Sequence, residues 1–233
     1  MKTLQKFGGF AALYMAVAHL MGIVIFLVVL DYLSITDPAQ KVALTVNNQM
    51  IVFATNLLMY VFFGFALIVL SLALYERLKS GAPTLMQVAT AVGITWAGSL
   101  IASGMVANAG LAAIAPLYPQ DPAQAAVTWQ GIETVANGLG NANGEILGGV
   151  WVLLLSLAAL RTGELSRSLN IIGLGVGAVG IISLIPGLTN SLIGVFGLGQ
   201  ILWLIWLGIV LLRSRQSISR RPLNLAVEGQ GLS

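Results

Sequence analysis

His19, the only histidine among 233 residues, and Glu145 are the two side chains best suited to handle a proton. An imidazole titrates near neutral pH, and a carboxylate beside it would make an acid–base pair. Both fall inside apolar segments. Asn56, Asn108, Asn137, Asn141 and Gln200 add amide groups in or beside apolar stretches. Polar groups in a membrane are expensive, so each needs a reason. Glu133, Asn137, Asn141 and Glu145 recur every four residues. That spacing places them on one slowly drifting helix face, with Trp129 on about the same line. Such a stripe must face protein or water, because lipid would not solvate it. Thr95, Ser99 and Ser103 recur at the same interval. Hydroxyls so placed are expected to bond their own helix backbone.

The elements that position these groups are membrane helices. Hydrophobic residues make up 58% of the chain and charged residues 8%, against roughly 25% charged in a soluble domain. So few charges cannot solvate a surface, and lipid must cover most of it. A span needs about 20 apolar residues. Six segments qualify, at about 7–30, 50–75, 85–110, 143–160, 169–187 and 190–212. The expected fold is an all-α membrane protein, a six-transmembrane-helix bundle over 1–213. A basic cytoplasmic tail, 214–233, is expected to be disordered. The first run is too long for a signal-peptide core and reads as the first span.

Ten of the eleven Lys and Arg residues lie at one set of span ends, and Lys41 alone lies at the other. Basic residues stay in the cytoplasm during insertion. Both termini should therefore be cytoplasmic, in a bacterial inner membrane. On this scale His19 sits ~20 Å up the first helix, near the bilayer middle, with Gln200 at comparable depth.

Two outer loops open with Asp-Pro, at Asp37 and Asp121. An acid at the N-cap before proline at the first helical position starts a helix well. Short extracytoplasmic helices are expected in both. The two "DPAQ" motifs are 84 residues apart, and at nearly that offset "VLSLALYERLKSG" (69–81) matches "LLSLAALRTGELS" (154–166). An internal repeat of helical hairpins and a chance likeness of two apolar hairpins both fit. Gly144 and Gly148, and Gly173 and Gly177, are spaced for close helix packing.

Several chemistries are excluded or disfavoured. The chain has no cysteine, so there are no disulfides, thiolates or cysteine metal sites. One histidine cannot supply a bis-histidine haem site. No HExxH or Walker loop occurs, and "GLGVGAVG" lies inside an apolar span. There is no intramembrane lysine for a Schiff base and no GxSxG elbow. The net charge of +3 comes from helix ends and the tail. It reads as topology and lipid-headgroup contact, with no nucleic-acid partner. No cofactor or metal is implied.

"NGEILGGVWVLLLSLAALRTGELSRSLNIIGLGVGAVGIISLIP" (143–186), "GLGQILWLIWLGIVLLR" (197–213) and the opening "QKFGGFAALYMAVAHLMGI" resemble a bacterial family of six-span membrane proteins. That family is known as domain of unknown function 4386. The resemblance implies an integral membrane protein with six helices and no established catalytic residues.

Three roles follow. The first is binding or transport of a small solute or lipid-like molecule. It would use an outward cavity lined by His19, Asn56, Glu145 and Gln200, with walls from Tyr14, Tyr60, Trp151 and Trp203. The second is a non-catalytic structural or regulatory protein acting through partner contacts. The third is an intramembrane enzyme using His19 and Glu145, which requires those side chains to meet.

Overall fold

A computed structural model describes residues 2–140 and 145–213. Asn141, Gly144 and the 214–233 tail lie outside these residues. The chain forms α1 (Lys2–Val24), α2 (Pro38–Asn47), α3 (Gln49–Asn56), α4 (Phe63–Leu78), α5 (Pro83–Leu117), α6 (Pro122–Leu139), α7 (Ile146–Thr162), α8 (Arg167–Ile182) and α9 (Thr189–Arg213). A π-helical stretch, Ile25–Val29, extends α1, and another, Leu57–Phe62, joins α3 to α4. Helix is the natural state for such sequences, because lipid offers backbone groups no partner and a helix satisfies them internally.

Local chemistry marks the helix ends. Asp37 and Asp121 accept hydrogen bonds from the backbone N–H of Ala39 at 3.0 Å and of Gln124 at 2.9 Å. Each precedes a proline at the first helical position. Gly163 ends α7 in the left-handed region at φ 69°, where a side chain would be strained.

Among the described residues four stretches are long and apolar enough to cross a membrane: Thr3–Val29, Gln49–Leu78, Pro83–Leu117 and Ser191–Arg213. The protein is therefore an all-helical, membrane-embedded chain. Six such segments were expected. α7 and α8 are apolar but have only 17 and 16 residues, or ~25 Å against the ~30 Å of hydrocarbon. Within the described part of the expected 143–160 segment, α7 begins at Ile146, with Glu145 as its cap residue. The expected 169–187 segment gives way after Ile182 to turns around Pro186.

The helices pack α1 against α4 and α9, α5 against α4, α6 and α7, and α8 against α7 and α9. An aromatic chain runs through the core. His19 meets Phe63, Phe63 meets Trp96, Trp96 meets Trp151 and Trp151 meets Trp203, with centroids 5.8–6.3 Å apart. A second apolar core forms at the base-poor end of the bundle, where Tyr32, Val42, Leu111, Ile114 and Trp129 are buried.

A close helix crossing joins α7 to α8. A Cβ on Gly177 would lie 2.8 Å from the Gly149 carbonyl oxygen, and one on Gly149 would lie 2.8 Å from the Gly177 carbonyl oxygen. Gly148 and Gly173, singled out by their spacing, instead make room for side chains. Gly148 faces Trp96 and Phe196, and Gly173 faces Ser156 and Trp203.

α6 departs from a short loop helix. It has 18 residues and folds back along α5 as far as Ser99. The Ser103 hydroxyl donates to the Ala136 carbonyl at 2.8 Å, and the Ser99 hydroxyl donates to that of Leu139. These bonds run between helices, against the expectation for Ser99 and Ser103. The Ala136 carbonyl also accepts from the Gly140 N–H at 2.8 Å, so Ser103 uses the second lone pair of that oxygen. Thr95 does bond its own helix, donating to Ala91 at 3.0 Å.

Candidate functional site

A cavity of about 320 Å³ lies between α1, the α3–α4 π-helical stretch, α5 and α6. Its apolar walls include Ile23, Phe26, Leu27 and Met59, and Asn56, Tyr60, Glu133 and Asn137 bring polar groups to it. Its size and mixed lining are those of a small-molecule site.

Both π-helical stretches contribute to it, through Phe26 and Leu27 on one and Met59 and Tyr60 on the other. A π turn widens the helix and leaves carbonyls poorly paired, a feature common at functional sites. The Leu58 carbonyl accepts from the Tyr14 hydroxyl at 2.9 Å. Gly22 lets the second helix approach, since a Cβ there would collide with the Met59 side chain.

The base-poor end of the cavity carries a hydrogen-bonded network. The Trp129 indole N–H donates to the Tyr32 hydroxyl at 2.9 Å, and that hydroxyl donates to Glu133 Oε1 at 2.9 Å. Lys41 Nζ reaches the same oxygen at 3.5 Å and lies 5.0 Å from the centre of the Tyr32 ring. Burial raises the Tyr32 hydroxyl well above its usual range, and the neighbouring Glu133 charge adds to this. Tyr32 is therefore a neutral donor at any physiological pH. Beyond the network a smaller hollow of about 80 Å³ touches Lys41, Trp129 and Glu133.

The residues singled out in the sequence divide into separate groups. Asn56 and Asn137 line the cavity, as does Tyr60. Asn108 stands behind Asn56: the Asn56 amide donates to Asn108 Oδ1 at 3.0 Å, and the Asn108 amide donates to the Phe53 carbonyl at 3.3 Å. His19 and Gln200 lie outside the cavity lining, between α1 and α9. His19 Nε2 would sit 3.5 Å from a Cβ on Gly197, and Gln200, 1% exposed, is one turn further along α9. Glu145 caps α7, where its backbone N–H donates to the Ser183 hydroxyl at 3.0 Å. Its carboxyl is not part of the cavity lining. Among the described residues His19 Nδ1 and Glu145 Oε2 make no hydrogen bond, and no ion pair joins the two. Trp151 and Trp203 are core residues, 0% and 2% exposed, and form no cavity wall.

Tyr32 and Lys41 were missed as site residues. Lys41 carried a signal as the lone base on its side of the hydropathy pattern. Tyr32 carried none. It turns back toward α6 because Asp31 adopts a left-handed conformation at φ 49° after α1, a geometry that aspartate tolerates better than most residues.

Comparisons with protein families, curated proteins and solved structures return no match. The functional reading therefore rests on the cavity.

Proposed function

We propose that this protein binds a small amphipathic or lipid-like molecule in the cavity between α1 and α6. The observation that carries this reading is the convergence of two π-helical stretches, from different helices, on one hollow with apolar walls and a polar end. Beyond Tyr60 the bundle is filled by Phe63, Trp96 and Trp151. That packing favours binding over passage through the chain in this conformation.

The same reading takes the bundle as six spans in a bacterial inner membrane. α7 and α8 complete the crossings despite their length, both termini are cytoplasmic, and the cavity opens toward the outer side. The basic asymmetry of Arg77, Lys79, Arg161, Arg167 and Arg213 against Lys41 supports this orientation. Membership of the domain of unknown function 4386 family belongs to the same proposal and rests on the sequence resemblance.

The experiment is a binding screen against purified protein in lipid nanodiscs, comparing wild type with Ala107→Phe. Ala107 lines the cavity and is half-buried, so a phenyl ring there fills it. Loss of ligand in a variant that stays folded supports the reading. Equal binding by both would sink it.

A structural or regulatory role without a ligand is the second reading. The Asn56–Asn108 bond favours it, because amide pairs of this kind hold membrane helices together. Under that reading Ala107→Phe changes stability alone.

A further inference from the structure

We infer that the base-poor end of the cavity is a subsite for an organic cation: an ammonium head on an apolar body that lies along Ile23, Leu27 and Met59. This rests on the binding role proposed above and names the chemistry of its ligand.

Three observations converge. First, the ionisable groups that line the cavity are Glu133, Tyr32 and Tyr60, and among the described residues no lysine or arginine lines it. Glu133 is grouped there with Phe26, Tyr32 and Trp129, and Phe26 meets Tyr32 edge-on at 5.8 Å. A carboxylate beside aromatic rings is the environment that receives an ammonium group.

Second, a tethered ammonium already uses part of this site. Lys41 Nζ sits 3.5 Å from Glu133 Oε1 and 5.0 Å from the Tyr32 ring centre. It arrives from the smaller outer hollow and does not line the cavity itself. Its side chain is 24% exposed, so it can swing to water when a second cation enters. Tyr32 and Lys41 both contact Glu133 Oε1, and Glu133 Oε2 makes no hydrogen bond among the described residues.

Third, the whole base-poor end is electronegative. Asp31, Asp37, Asp121 and Glu133 lie there against Lys41 alone. Such a face concentrates cations at the cavity mouth. An anionic head finds no counter-charge in the cavity lining, and a neutral head gains nothing from the carboxylate.

Phenylbutylammonium, phenylbutanol and phenylbutyrate share one body and differ in the head. Each is titrated calorimetrically into the full-length protein in phosphatidylglycerol nanodiscs, with empty discs as reference. The ammonium should bind about tenfold tighter than the alcohol, and the carboxylate should bind more weakly than either. Glu133→Gln should bring the ammonium down to the affinity of the alcohol and leave the alcohol unchanged. Lys41→Met removes the tethered competitor, so ammonium binding should tighten by about threefold or more. This opposite sign decides the matter if Glu133→Gln fails to fold.

Adding phosphatidylethanolamine to the discs separates two sources of the head. Weakened probe binding points to a lipid amine, and unchanged binding to a free one, and both support the subsite. If ammonium and alcohol bind equally in wild type, the cation subsite is overturned while the cavity reading stands. If none of the three binds, both readings fall.

Discussion

The Trp151 indole N–H donates to the Ser71 hydroxyl at 3.1 Å, across the bare Cα of Gly93. A Cβ on Gly93 would lie 2.5 Å from each of those two polar atoms. A related arrangement recurs at Gly173, where a Cβ would collide with the Ser156 hydroxyl and lie 2.6 Å from Trp203 Nε1. Ser71 and Ser156 occupy equivalent places in the two similar stretches 69–81 and 154–166. Ser71 belongs to the α4–α5 hairpin and Ser156 to the α7–α8 hairpin. The neighbours do not follow the offset of the serines: Gly93 and Gly173 are 80 residues apart and Trp151 and Trp203 are 52 apart, against 85 for Ser71 and Ser156. The shared arrangement is one of packing, a serine and an indole meeting over a glycine, and it does not decide between duplication and chance likeness.

The two sites differ in bonding, and this sets the first prediction. Ser156 Oγ and Trp203 Nε1 are both buried with no partner among the described residues, whereas the Ser71–Trp151 bond is formed. Ser71→Ala orphans a buried indole N–H and should cost about 1 kcal/mol. Ser156→Ala should cost less, because no bond is lost. Equilibrium unfolding in mixed micelles measures both, and a larger loss in Ser156→Ala would contradict the assignment.

At the α7–α8 crossing, Gly177→Ala places a methyl group against backbone rather than against a yielding side chain. The helices must separate, at a cost of about 1–3 kcal/mol. Gly98→Ala meets nothing within 4 Å and should be neutral or stabilising, since alanine is the better helix former by up to about 1 kcal/mol. Thermal denaturation of the two variants side by side tests the contrast.

Asn56 and Asn108 should behave as a coupled pair. A double-mutant cycle with Asn56→Leu and Asn108→Leu should give an interaction energy of roughly 0.5–1.5 kcal/mol. Independent, additive losses would mean that the 3.0 Å bond between them contributes nothing.

The absence of cysteine makes the native chain a clean background for accessibility labelling. Gln120→Cys lies in the exposed turn after α5, and Ser80→Cys lies in the exposed turn after α4. An impermeant maleimide added to intact cells should label the first and spare the second until the membrane is permeabilised. The reverse pattern would invert the proposed orientation.

Composition and spacing were enough for a helical membrane protein, because with 58% hydrophobic and 8% charged residues the chain cannot solvate most of its own surface. The Asp-Pro helix starts were equally legible, since an N-cap acid and a following proline act within a few residues. The face shared by Trp129, Glu133 and Asn137 was also readable, because helical spacing alone sets it. What those side chains meet was not. Tyr32 joins Glu133 across 101 residues and Trp129 across 97, through a reversal at Asp31 and the folding of α6 against α5. Depth along a helix could be counted for His19 and Gln200, but the direction each faces depends on packing. Both were therefore grouped with Asn56 although α1 and α9 hold them elsewhere. The fold class is a matter of local solvation and period, which a single chain segment carries by itself. The cavity is a matter of which helix faces meet, and only the packed bundle decides that.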